Sequence, residues 1–188
     1  MQLVLGPTKE KREPLQAGWR VLREVDPDLT QIFEIQISLV VAATVLLCWL
    51  LAVPGVGFTL EPGTFVGACA LLALLHESAH AAAFPRGSGG EATILSFRPS
   101  RLALCALWSG AWSRRRYVAM LATPIAVLSL APIAVFGWFG DVPNAVATFS
   151  VLNALVSGGD VLAIVLVLWQ IPACAAIRAN GERILWRV

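Results

Sequence analysis

Charge is what this sequence has least of. Asp, Glu, Lys and Arg supply 14% of its 188 residues against 57% hydrophobic, and the mean hydropathy is +0.74. Soluble domains carry about 25% charged residues, so this composition excludes an ordinary soluble fold and points to one compact membrane domain over 1–188. A net charge of +2 leaves no basic excess for nucleic acid. No two cysteines stand at CxxC spacing. Cys48, Cys69, Cys105 and Cys174 are scattered, three of them in or beside apolar runs, which reads as small buried side chains rather than a disulfide framework or a thiolate metal site. No internal repeat of the kind many transporters carry is visible. Residues 1–30 are mostly polar and hold no apolar core, which predicts an uncleaved first span instead of a secretory signal. Histidine is scarcer still, with two in the whole chain.

What is present is a set of long apolar runs. The expected fold is an all-α membrane protein, a four-helix transmembrane bundle with spans near 35–53, 64–84, 117–139 and 146–169. Trp49 and Pro54-Gly55 close the first span, Pro85 ends the second, and Pro124 and Pro132 predict kinks in the third. Between spans two and three, 86–116 is too weakly apolar to cross; 92–97 and 101–108, split at Arg98-Pro99-Ser100, read as a hairpin or re-entrant segment. Near the amino terminus, 15–25 reads either as an interfacial helix with Trp19 and Leu22 toward lipid or as a solvated face. Every Lys and Arg falls in the amino-terminal segment, in 86–116 or in the tail. Four spans put those three regions on one side, which the positive-inside rule makes cytoplasmic, with Arg114-Arg115-Arg116 as a topology anchor. The expected location is the cell membrane, with both termini cytoplasmic.

Both histidines fall in one pentad, His76-Glu77-Ser78-Ala79-His80, inside the second apolar run. Residues four apart share a helix face, so His76 and His80 can each aim a ring nitrogen at one cation, with Glu77 placed to act as general base on its water. Ionisable groups in a span are costly and are functional by default. The bland alternative is a pair of polar side chains satisfied between packed helices. Haem is a poor alternative, because two histidines on one helix face cannot occupy opposite axial positions on one iron.

Catalytic zinc takes three protein ligands and keeps a position open. Asp160 is the one acid besides Glu77 that lies well inside a span. At 1.5 Å per residue, the histidines lie about 6–12 Å and Asp160 about 13 Å from the same side, so the three can meet. Asn153, seven residues before Asp160, shares its helix face; it suits either a substrate or oxyanion contact or an interhelical hydrogen bond. Ser157-Gly158-Gly159 removes bulk just before the carboxylate. Ser157 as a nucleophile would need a histidine base, and both histidines have a better use.

Taken together, the pentad at the end of a span, a basic loop, Arg116-Tyr117 leading to Pro124, and Asn153 with Ser157-Gly158-Gly159-Asp160 resemble the zincin-type membrane peptidases grouped as a domain of unknown function. Those are in turn similar to site-2 proteases, zinc peptidases that cut within or near the bilayer. The resemblance covers most of the chain. It implies one zinc ion per chain held by His76, His80 and Asp160, Glu77 as the catalytic acid and base, and a membrane protein or peptide as substrate. The sequence lacks the Asn-Pro-Asp-Gly motif of site-2 proteases, and no appended substrate-binding domain is expected. Two other readings compete with this one: an inactive zinc-binding membrane adaptor, which would have no use for Glu77, and a small transporter.

Overall fold

The computed structural model describes residues 2–4, 17–22, 27–59, 65–84, 94–98, 103–107, 110–180 and 183–188. In chain order the elements are β1 (Gln2–Val4), β2 (Arg20–Val21), α1 (Pro27–Ala52), α2 (Phe65–Ala82), β3 (Ile94–Arg98), β4 (Ala103–Leu107) and β5 (Trp112–Ser113). A single long helix follows, made of α3 (Arg114–Pro124), a π-helical turn (Ile125–Leu130) and α4 (Ala131–Phe139). The chain then runs through α5 (Asn144–Val156), α6 (Gly158–Gln170), β6 (Ala176–Asn180) and β7 (Arg183–Arg187).

The fold is mostly helical, and its polarity is inverted relative to a soluble protein. Val40, Leu51, Val66 and Trp138 are 65%, 74%, 78% and 87% exposed, whereas Ser129, Ser150, Asn153 and Ser157 are fully buried. Apolar side chains outside and polar ones inside are what a bilayer requires. Segments 28–52, 65–82 and 114–139 are each long and apolar enough to cross a membrane. The helices α5 and α6 together make a further candidate, bent by 45° at their junction. The first helix starts two turns earlier than the apolar run suggests. Pro27 suits its first position, where no amide hydrogen is needed, and Leu29, Ile32 and Phe33 carry the apolar surface past Glu34.

Two expectations about the helices change in detail. Between Pro124 and Pro132, where kinks are expected, the third long helix widens into a π turn, with the Ala131 N–H bonding Ala126 O. Proline at 132 removes the donor that the α ladder would use there. The expected unbroken span 146–169 is instead two helices. At Ser157 (φ −76°, ψ 0°) both the backbone N–H and the hydroxyl donate to Asn153 O, at 3.0 and 2.8 Å. Gly158 then packs directly on α1, where an added Cβ would overlap Ser38 Oγ and lie 2.8 Å from Ser38 Cα. The consequence is that Asp160 sits in the first turn of a new helix.

The fold is not all-α. One sheet has the order β1-β3-β4, with β1 parallel to β3 and β3 antiparallel to β4 from Ile94↔Leu107 to Arg98↔Ala103. The second is antiparallel, in the order β2-β7-β6-β5. It turns the polar tail into a hairpin, Ala176–Asn180 pairing antiparallel with Arg183–Arg187 and burying Ile177 and Leu185. The same sheet overturns the lipid-facing reading of Trp19 and Leu22: both are buried, and 20–21 is a strand. Residues 15–16 and 23–25 lie outside the described residues. Arg187 stacks on Trp19 at 4.9 Å and Arg20 on Trp186 at 5.3 Å. Leu22, Trp112 and Ile177 of the sheet join Phe84, Tyr117, Leu121, Val167 and Ile171 in one core cluster. A second cluster, with Val45, Trp49, Ala147 and Ala154, binds α1 to α5.

Arg114 also has a structural task, its guanidinium donating to Ile171 O at 2.6 Å beyond the end of α6. Cys48, Cys69 and Cys174 are free thiols. They are not the buried side chains expected, since Cys69 and Cys174 are exposed and Cys48 is intermediate. The side chain of Cys105 lies outside the described residues.

Candidate metal centre

The buried stripe of α2 consists of Leu72, His76, Ala79 and His80, the spacing of one helix face. His76 and His80 therefore turn inward together, with ring centroids 4.9 Å apart and planes at 79°. Asp160 meets them from the first turn of α6. Its Oδ2 lies 3.1 Å from His76 Nε2 and 3.3 Å from His80 Nε2. One ligating atom from each of the three residues falls within 4.8 Å of the others. Glu77, half-buried, follows about 100° further round α2.

The placement of protons in this cluster follows from its neighbours. Ser129 Oγ donates to Ser150 O at 2.8 Å, and Ser150 Oγ donates to Ser129 O at 3.0 Å. Trp49 Nε1 donates to Ser150 Oγ at 2.9 Å. With its own hydrogen committed, Ser129 Oγ accepts from Asn153 Nδ2 at 2.9 Å, and Pro124 O accepts from the same nitrogen at 3.1 Å. A carbonyl can only accept, so the Asn153 amide cannot be turned round. Its Oδ1 must then be an acceptor, and His76 Nδ1–H donates to it at 3.0 Å. By the same logic, His80 Nδ1–H donates to Met120 O at 3.0 Å.

A neutral imidazole at either position therefore carries its one hydrogen on Nδ1. In that form each Nε2 is a lone pair facing a carboxylate oxygen, and a cation at the centre would satisfy all three acceptors. Two imidazole nitrogens and one carboxylate oxygen form a donor set suited to zinc, with a position left open. The outer hydrogen bonds to Met120 O and Asn153 Oδ1 are of the kind that orients metal-ligating histidines.

Of the residues singled out in the sequence, His76, His80 and Asp160 meet directly. Asn153 joins them through His76. Its amide nitrogen and oxygen are engaged and it is fully buried, which favours the interhelical alternative over a substrate contact. Ser157 bonds Asn153 O and serves the helix break. Sequence reasoning missed Met120 and Pro124, which act through backbone carbonyls, and Ser129. The only signal for these was the pair of prolines that opens the helix ladder around Ser129.

A family model described as "Putative zincin peptidase" matches residues 69–176, more than half of the chain, including His76, His80, Asn153 and Asp160. The chain belongs to that family. Zincin peptidases are zinc metallopeptidases, and the two-histidine, one-carboxylate cluster is the part of this zincin family member that its name leads one to look for. Comparison with curated proteins and with solved structures gives no match.

Proposed function

We propose that this family member is a zinc-dependent intramembrane metalloprotease of the site-2-protease kind, one integral membrane domain that hydrolyses peptide bonds of membrane-associated substrates. The observation that carries the reading is the convergence of His76 Nε2, His80 Nε2 and Asp160 Oδ2 within the bundle. His76, His80 and Asp160 would hold one zinc ion per chain. A zinc ion there supplies a Lewis acid and a nucleophile available at neutral pH.

The chain's own residues do the rest. Glu77 takes a proton from the attacking water as its oxygen bonds the scissile carbonyl carbon, then gives that proton to the leaving amine nitrogen as the C–N bond breaks. Met120 O and Asn153 keep both imidazoles in the Nδ1–H form throughout. The surrounding apolar faces limit water, which strengthens each charge interaction inside. A helical substrate has to unwind before its peptide bond is accessible. The β4 strand is an edge of its sheet and lies against α2, and we read it as the place where an unwound segment adds as a further strand. We place the protein in the cell membrane, and the distribution of Lys and Arg favours cytoplasmic termini.

Two measurements test the proposal together: elemental analysis of the purified protein, and cleavage of membrane peptides in reconstituted bilayers. About one zinc per chain, lost in His76→Ala and Asp160→Ala and kept in Glu77→Gln, with cleavage reduced about 10²–10⁴-fold in Glu77→Gln, is the expected result. Cleavage that survives Glu77→Gln, or metal indifferent to Asp160, overturns it.

A further inference from the structure

The first turn of α6 has two neighbours. On one side Asp160 faces the histidines; on the other, Gly158 and Gly159 lie against α1. A Cβ on Gly159 would stand 3.0 Å from Glu34 Oε1, so the glycine lets this carboxylate close on the helix start. Glu34 is an exposed acid within the candidate span 28–52. Among the described residues, no hydrogen-bond donor or cation is paired with it. A lone carboxylate at a lipid-facing position is expensive, and a persistent one marks a binding function.

Beside it lies a cavity of about 380 Å³, lined by Gln31, Glu34, Ile35, Ser38, Leu39 and Leu155. Residues 31, 34, 35 and 38 share one face of α1, so an amide, a carboxylate and a hydroxyl form a polar stripe edged by aliphatic side chains. The depth matches that of the metal cluster. Glu34 is about 10 Å in from the start of α1, and His76 about 9 Å in from the end of α2, at 1.5 Å per residue.

We propose that this groove is a subsite for a Lys or Arg side chain of a membrane-spanning peptide, Glu34 taking the cationic head and Ile35, Leu39 and Leu155 the aliphatic stem. The inference rests on the peptidase reading in one respect, that the peptide is the substrate. The chemistry selects such an occupant: long cationic side chains bury an apolar stem while keeping a charged end that needs a counter-ion. A peptide anchored there lies across the first turn of α6 from the metal cluster. A substrate with a basic residue near its membrane border would be positioned beside the catalytic groups.

The test measures binding without turnover, in the Glu77→Gln background and in phosphatidylcholine nanodiscs, which contain no primary amine. The probes are two dansyl-labelled Leu/Ala transmembrane peptides that differ only by Lys or norleucine near one border, with energy transfer from the protein's tryptophans as the signal. The Lys peptide is expected to bind at least about tenfold more tightly, and Glu34→Gln to abolish the difference while leaving zinc content unchanged. Equal affinities for the two peptides, or a preference that persists in Glu34→Gln, overturns the assignment. If Glu34→Gln does not assemble, the peptide pair decides the question alone. A groove without preference leaves the peptidase reading intact, and a Glu77 without catalytic effect leaves the groove intact.

Discussion

Asn153 Oδ1 lies 3.0 Å from His76 Nδ1, and this one contact joins the metal cluster to a buried chain of hydrogen bonds ending at Trp49. Each step is directional. Trp49 donates to Ser150, Ser129 and Ser150 exchange bonds between α5 and the π turn, and Asn153 donates to Ser129 and Pro124 O. The π turn is what brings Ser129 round to face α5. Without that local widening, the amide of Asn153 would lack one of the two acceptors that fix its orientation.

Removing the Asn153 side chain should therefore act on the metal rather than on the substrate. In Asn153→Ala, His76 loses the acceptor that holds its proton at Nδ1, and its Nε2 is no longer committed as a lone pair. Zinc affinity, measured by competition with a chromophoric chelator, should fall about 10–100-fold. An unchanged affinity with a raised KM would return Asn153 to the role of a substrate contact.

At the junction of α5 and α6 the backbone packs directly on Ser38 of α1, and Gly158→Ala should reveal it. The added methyl group would overlap Ser38, so α1 must move away from α6. Overpacking of this kind costs about 1–3 kcal/mol, visible as a lower midpoint of thermal unfolding in detergent. Pairing the change with Ser38→Gly should recover part of the loss, because the nearest atoms are then gone while Ser38 Cα stays where it is. Additive effects of the two changes would show that the contact does not limit packing.

Much of this arrangement was legible in the sequence because membrane proteins place their costly residues sparingly. Two histidines at i and i+4 and one deep aspartate leave few ways to arrange a cluster, and the depth argument brought Asp160 to the right level. The broken helix was harder to see, since 146–169 is apolar throughout and the break depends on Ser157 capturing Asn153 O and on Gly158 meeting Ser38 from a distant helix. The second sheet escaped for a different reason. Its strands are two to five residues long and pair across most of the chain, although the Gly181-Glu182 step between two short apolar segments is a hairpin signal in the sequence. Backbone acceptors such as Met120 O and Pro124 O leave no mark on side-chain chemistry at all.

Trp49 stands at the far end of the hydrogen-bond chain, and Trp49→Phe should separate stability from metal binding. The indole is fully buried and gives its only hydrogen to Ser150. Losing that bond together with some packing volume should cost about 1–3 kcal/mol in unfolding measurements. Zinc affinity should stay within about twofold, because Ser129 keeps its bond to Ser150 O and Asn153 keeps both acceptors. A large loss of zinc would mean that the chain of bonds transmits strain to His76.

The antiparallel sheet makes a prediction about topology that does not depend on counting charges. It contains β2 just before α1, β5 just before α3, and β6 and β7 after α6. One sheet lies on one side of a membrane, so the chain between β2 and β5 must return to where it started, and so must the chain between β5 and β6. The helices α1 and α2 satisfy the first requirement. For the second, a single crossing by the long helix 114–139 would require α5 with α6 to make the return together despite their 45° bend. In a cysteine-free parent, Asp141→Cys should react with an impermeant maleimide on intact cells, whereas Val188→Cys should react only after lysis. Equal labelling of both would require α5 and α6 to form a re-entrant loop, and would put the sheet in conflict with a crossing by 114–139. The expected outcome places the metal cluster nearer the side of the termini, because His80 is two residues from the end of α2 and Phe84 beyond it packs on Trp112 of the sheet at 5.7 Å.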